Sequence, residues 1–158
     1  MAEGQGTGSA VLVRTGIDRF DQLRNVGPNS LQYKVVGRDT GDRLFIFELT
    51  NTRRGGPPRH FHPAQEEWFY VLEGEYLVEV GADRIQLVPG DSLLAPRNVP
   101  HVWAYVGSTQ GRMLVGFQPV GGMESYFAEV SRQPDLQRDE GVLRAHGMEL
   151  VGPPLTVE

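Results

Sequence analysis

The sequence predicts an all-β domain, a sandwich or barrel of many short strands, followed by short helices. Three observations predict it. From about Val11 to Phe117, short apolar or alternating runs recur, each broken by Gly, Pro, Asn or Asp. The segment VEVGADRIQLV reads as a hairpin with a short loop. After Phe117 the period lengthens: Met123, Tyr126, Phe127 and Val130 stand at helical spacing behind a Gly-Gly pair.

Taken in order, the expected strands are Val11–Arg14, Gln32–Val36, Arg43–Thr50, His60–His62, Trp68–Leu72, Tyr76–Val80, Arg84–Leu87, Ser92–Ala95, His101–Tyr105 and Arg112–Phe117. Turns are expected at Asp39–Asp42, Arg54–Pro58, Gly81–Asp83, Pro89–Asp91 and Gly107–Gly111. Ile17–Leu23 reads as one or two helical turns. PDLQRDEGVLRAHG reads as a second short helix, opening near Pro134–Asp135 and closing at Gly147. Met148–Val151 returns as a strand, and Pro153–Pro154 ends the order. The expected organisation is a lead-in over 1–10, a barrel over 11–120 and a helical extension over 121–158 that covers the outside of the barrel.

At 158 residues the chain suggests one domain, long enough to bury a core without staples. It has no cysteine, which removes disulfides, thiolate ligands and cysteine nucleophiles. A formal net charge of -5 argues against nucleic acid and anionic membrane as partners. No apolar run approaches the roughly 20 residues that cross a bilayer. The opening MAEGQGTGSA lacks the basic and apolar regions of a secretory signal, so the expected location is the cytoplasm.

Chemistry concentrates in RHFHPAQEEWFYVLEG, residues 59 to 74. In a strand, residues i and i+2 share a face, so His60 and His62 project together, and a carboxylate, Glu66 or Glu67, comes on the next strand. From Glu67 the same face continues through Phe69 and Val71. A second segment, PGDSLLAPRNVPHVWAYV, opens a strand at His101, whose face is shared by Trp103 and Tyr105. Three imidazoles and one carboxylate suit one divalent transition metal per chain (Fe, Mn, Ni, Co, Cu or Zn), with open positions for substrate.

These two segments resemble the motifs of the cupins, small double-stranded β-helix (jelly-roll) proteins. The first cupin motif ends His-x-His, three or four residues, Glu, six residues, Gly; His60, His62, Glu67 and Gly74 match it in order and spacing. The second runs Gly, five residues, Pro-x-Gly, two residues, His, three residues, Asn; Gly90, Pro96 and His101 match it. Fifteen residues separate Gly74 from Gly90. The motif spacing selects Glu67 over Glu66. Three positions depart: Arg54 stands where the first motif opens with Gly, Asn98 replaces the inner Gly, and Tyr105 replaces the closing Asn. Asn tolerates the left-handed region, so the turn at Asn98 survives. None of the departures removes a ligand.

The resemblance implies a jelly-roll barrel with His60, His62, Glu67 and His101 as metal ligands. Glu67 is expected to double as the catalytic proton acceptor, and Phe69, Val71, Trp103 and Tyr105, which share strand faces with the ligands, read as a pocket wall, with plain barrel core as the alternative. The segment PVGGMESYFAEVSRQPD further resembles the post-barrel segment of quercetinase-like cupins. The leading expectation is therefore a metal-dependent dioxygenase acting with O2 on a small enolic or phenolic, flavonol-like substrate. The alternatives are a polyketide-type cyclase or isomerase using Lewis-acid chemistry, and a non-catalytic binding module. A homodimer is expected because jelly-roll sheets expose edges, with the strand around Val11 added across the contact. Trp68 and Tyr70 are expected between sheets, under a helix or at that contact. Arg53, Arg54 and Arg59 read as a solvated loop, with steering of an anionic substrate as the alternative. His146 reads as solvent-exposed at a helix C-terminus.

Overall fold

A computed structural model of the chain describes residues 8–158; residues 1–7 of the expected lead-in lie outside the described residues. The strands are β1 (Arg24–Val26), β2 (Asn29–Val35), β3 (Phe45–Asn51), β4 (His60–Phe61), β5 (Glu66–Glu73), β6 (Tyr76–Val80), β7 (Asp83–Leu87), β8 (Ser92–Ala95), β9 (His101–Tyr105), β10 (Gly111–Gln118) and β11 (Glu149–Leu150). The helices are α1 (Gly37–Thr40), α2 (Met123–Arg132) and α3 (Glu140–Ala145), with a 3₁₀ turn over Pro134–Arg138. Among the described residues, no helix is long and apolar enough to cross a membrane.

The strands form two antiparallel sheets, a jelly-roll barrel. One runs β1-β2-β3-β10-β5-β8 and the other β11-β4-β9-β6-β7. Alternation sets the inner face: Phe45, Phe47 and Leu49 of β3, Glu67, Phe69 and Val71 of β5, and Met113, Val115 and Phe117 of β10 all point inward and are buried. Each large apolar side chain withdrawn in this way contributes about 1.5–3 kcal/mol. One end of the barrel is plugged by a polar-aromatic cluster. Tyr76 donates its hydroxyl to Asn51 Oδ1 at 2.6 Å, and the Tyr105 ring lies 5.6 Å from that of Tyr76. Gly74, at φ +79°, turns β5 into β6 beside this plug; a Cβ there would sit 2.8 Å from the Gln110 carbonyl oxygen.

Several expectations change. Val11–Arg14 forms no strand, and Leu12 is 68% exposed, because no strand among the described residues pairs with this segment. Ile17–Leu23 is not helical: Asp18 accepts from the backbone N–H groups of Phe20 and Tyr33, at 2.9 and 2.8 Å, and folds the segment into a turn against β2. The expected second helix is split at Asp139, which caps α3 by accepting from the Val142 N–H at 2.9 Å.

The helices do not lie on the outside of the barrel. They close its open end, because that mouth is ringed by Phe47 and Phe117 and offers apolar surface to the apolar stripe of α2. The Phe127 ring stands edge-on to Phe47 at 4.8 Å and lies 6.4 Å from Phe117. The start of α2 is tied down where the Gly37 N–H donates to Glu124 Oε2 at 2.9 Å. His146 caps α3 rather than facing solvent freely. Its Nδ1 lies 2.8 Å from the Val142 carbonyl oxygen and its Nε2 3.2 Å from Glu129 Oε2.

Candidate metal centre

Strand pairing brings the two motifs together. His60 on β4 lies opposite His101 on β9 in one sheet, and Glu67 on β5 lies opposite Ala95 and Phe117 in the other. His62 comes directly after β4. The turn carrying Asn98, at φ +65°, directs its N–H onto the His62 carbonyl oxygen at 2.9 Å and so joins the second motif to the first. Asn98 thus supplies the conformation that a glycine would. At the other departure the glycine role moves along the chain. Gly55 pairs with Tyr105, and Gly56 lies so close to the Trp103 backbone that a Cβ would fall 2.0 Å from its carbonyl oxygen.

His60, His62, Glu67 and His101 are all buried, and one ligand atom from each lies within 4.8 Å of all the others. Glu67 Oε2 is 2.7 Å from His101 Nε2, 3.1 Å from His62 Nε2 and 4.0 Å from His60 Nε2. Donor atoms sharing one first-row ion, each about 2.0–2.2 Å from it, stand roughly 3–4 Å apart. Glu66, by contrast, points outward and holds Arg97 in a forked surface pair at 2.6–3.1 Å.

The outward ring nitrogens test whether a metal fits. His60 Nδ1 lies 2.8 Å from the Pro58 carbonyl oxygen, His62 Nδ1 3.0 Å from Gln65 Oε1 and His101 Nδ1 3.4 Å from the Val99 carbonyl oxygen. A carbonyl oxygen only accepts, so each neutral ring carries its proton on Nδ1. With the rings neutral, three Nε2 lone pairs converge on one carboxylate, an arrangement that a cation satisfies, whether a metal ion or a proton shared with Glu67.

Electrostatics point the same way. Burial pushes His60 down to about 4, and the neighbouring His101 adds to this against the pull of Glu67, so His60 is a neutral ligand. Burial pushes the Glu67 carboxyl up, but the charge and hydrogen bond of His101, with His62, outweigh it and hold Glu67 well below the ordinary range. Burial likewise opposes protonation of His101, yet the Glu67 carboxylate wins and raises it.

Gln65, which carried no signal in the sequence beyond its place between ligands, orients His62. Its Oε1 accepts from that ring, and its Nε2 donates to the carbonyl oxygens of Pro119 and Val120 at 2.7 and 2.8 Å. Gln65→Ala is expected to weaken metal affinity about 10–100-fold while leaving one site per chain, measured by competition with a chelator of known strength.

A cavity of about 380 Å³ opens onto this cluster. His60 and Glu67 reach its wall, and His62 and His101 lie behind them. Trp103 lines it, as do Phe47, Leu49, Val115 and Phe117 from the barrel and Met123, Tyr126 and Phe127 from the lid. Phe69, Val71 and Tyr105 do not line it. Successive inward residues step along the barrel, away from the mouth, so Phe69 and Val71 fill the core and Tyr105 belongs to the plug. Trp68 and Tyr70 sit on the outer face of the six-stranded sheet, rings 5.9 Å apart. The lid residues were not expected at the site because helical spacing identifies an apolar stripe without identifying what it covers.

Residues 50–117 match the family model for the cupin domain. Over 80 residues the chain is 31% identical to a protein of Streptomyces cyaneus named polyketide synthase CurC. That alignment covers 51% of this chain, which spans about half (52%) of the relative's length. Among solved structures, an RmlC-like cupin from Shewanella frigidimarina is similar at 25% identity and a TM-score of 0.51, covering 62% of this chain and 83% of that one. The polyketide cyclase RemF from Streptomyces resistomycificus is similar in fold at 24% identity and a TM-score of 0.56, covering 71% of this chain and 80% of that one. With both motifs brought together in an antiparallel jelly roll, residues 50–117 of the chain form a cupin domain.

Proposed function

We propose that this chain is a metal-dependent cyclase of the polyketide type, closing a ring within a small poly-carbonyl substrate. One observation carries this reading: a cavity walled by aromatic and aliphatic side chains ends at three imidazoles and one carboxylate. Such a cavity takes a largely apolar, oxygen-bearing molecule and fixes its orientation at the polar end. The relative named a polyketide synthase leans the same way.

A divalent ion on His60, His62, Glu67 and His101 would supply Lewis acidity toward paired substrate oxygens, making the carbon between two carbonyls more acidic. Glu67 Oε2 takes both close histidine contacts. Oε1 has no protein partner among the described residues and is not sealed from the cavity. Glu67 Oε1 is thus the atom placed to accept the proton from that carbon. Trp103, Phe47 and Phe117 hold the folded substrate so that its second carbonyl meets the carbon nucleophile, and the Phe127 lid excludes water.

The dioxygenase reading shares the substrate's enolic or phenolic oxygens but rests on the segment after the barrel, which serves here as the lid. The test is the zinc-loaded chain under nitrogen with a linear poly-β-ketone. A cyclised aromatic product, formed faster than without protein and abolished by Glu67→Gln, is the expected result. Product that forms only with a redox-active metal and consumes O2 in step would overturn the cyclase in favour of the dioxygenase. Binding without turnover under either gas would leave a binding module.

A further inference from the structure

We propose that Arg53, Arg54 and Arg138 form a cationic rim at the mouth of the cavity, so that its substrate carries an oxyanion, a carboxylate or a phosphate ester, at the end remote from the metal ligands. The inference rests on the cyclase reading for the substrate's apolar body and adds the charged terminus.

Two separate segments build the rim. Arg53 and Arg54 come from the loop between β3 and β4, and Arg138 ends the 3₁₀ turn beyond α2; all three line the cavity that reaches His60 and Glu67. The arginines are exposed and those two ligands are buried, which places positive charge at the opening and the reacting end in the depth. Among the described residues, none of the three makes an ion pair or a side-chain hydrogen bond. Arg59, only five positions further along than Arg54, turns away and pairs with Glu79. Other arginines of the barrel are likewise neutralised, Arg97 by Glu66 and Arg112 by Glu48. Among the described residues, the one acid in the cavity lining is Glu67, at the far end.

A net charge of -5 makes this local excess of cations more telling. Three guanidinium groups without acid partners around an opening with low-dielectric walls attract and orient an anion, and the planar fork suits carboxylate or phosphate oxygens. The departure at Arg54 acquires a role here: Gly55 and Gly56 make the close backbone approach, which leaves Arg54 free to face the opening.

The test measures binding rather than turnover. Trp103 lines the cavity and Trp68 lies on the outer sheet face, so a Trp68→Phe chain reports cavity occupancy by Trp103 fluorescence. The metal-loaded chain is titrated with 2-naphthoate, its neutral methyl ester and 2-naphthyl phosphate, then again as the Arg53→Gln/Arg54→Gln/Arg138→Gln variant. Naphthoate or naphthyl phosphate should bind at least tenfold tighter than the ester. The variant should lose that preference at unchanged ester affinity, and added salt should erode it in the parent only. The tighter of the two anions assigns the terminus as carboxylate or phosphate. Equal binding of acid and ester, or a preference that survives in the variant, overturns the rim and leaves the cyclase reading standing. Binding of none of the three probes overturns both.

Discussion

Replacing His101 with alanine is expected to abolish metal loading and, with it, the proposed turnover. His101 is 1% exposed, stands 2.7 Å from Glu67 and is paired across the sheet with His60, so its loss removes a buried donor that the sheet register holds in place. Losing an outer partner of a ligand costs about 10–100-fold in affinity; losing the ligand itself costs more. Elemental analysis of protein purified without a polyhistidine tag should find about one divalent transition metal per chain in the parent and close to none in His101→Ala. The ion-free variant also loses the group that does most to hold Glu67 ionised against its burial. A proton competes with metal for His101, whose affinity for protons is raised by Glu67, so metal loading of the parent should weaken as the pH falls. A variant retaining a full equivalent of metal would show that the cluster is not the binding site.

Asp18→Ala should destabilise the fold by about 3–5 kcal/mol, the cost typical of breaking a buried charged pair. Asp18 is 5% exposed and is the single acceptor for several donors: the N–H groups of Tyr33 and Phe20, and Arg24 Nε at 3.2 Å. Alanine leaves these donors, one of them an arginine lying over the Tyr33 ring at 4.0 Å, without the carboxylate. Burial pushes the Asp18 carboxyl up, but these donors outweigh it and hold the group below its ordinary value of 3.8. A depressed folded-state value contributes stability that is present above 3.8 and is lost as the pH drops through the folded value. Urea melts should therefore show a large gap between the two chains at pH 7 that narrows only below about pH 4. The exposed Arg97–Glu66 pair provides the contrast: Arg97→Ala should shift the midpoint little, because water already screens both partners.

The metal centre and the Asp18 turn differ in how far the sequence alone reveals them. The ligand set is written in local spacing. His60 and His62 share a face because a strand repeats every two residues, and the left-handed Asn98 can be anticipated because Asn is the non-glycine residue that best tolerates that region. Strand and helix periodicity impose these relations, so the sequence by itself determined the all-β class, the shared face of His60 and His62 and the amphipathic stripe of α2, while the resemblance to the cupin motifs implied the jelly-roll topology and Glu67 rather than Glu66 beside the three histidines. The tertiary structure decided what each of these faces. Register placed His60 against His101, far apart in the chain, and sent Phe69, Val71 and Tyr105 into the core while Trp103 reached the cavity. Long-range closure put the α2 stripe over the barrel mouth and Gln65 behind His62. It also turned Arg59 to Glu79 while leaving Arg53 and Arg54 at the rim. Periodicity states which side chains travel together along one element, but the partner that element meets is selected by burial of apolar surface between segments distant in sequence.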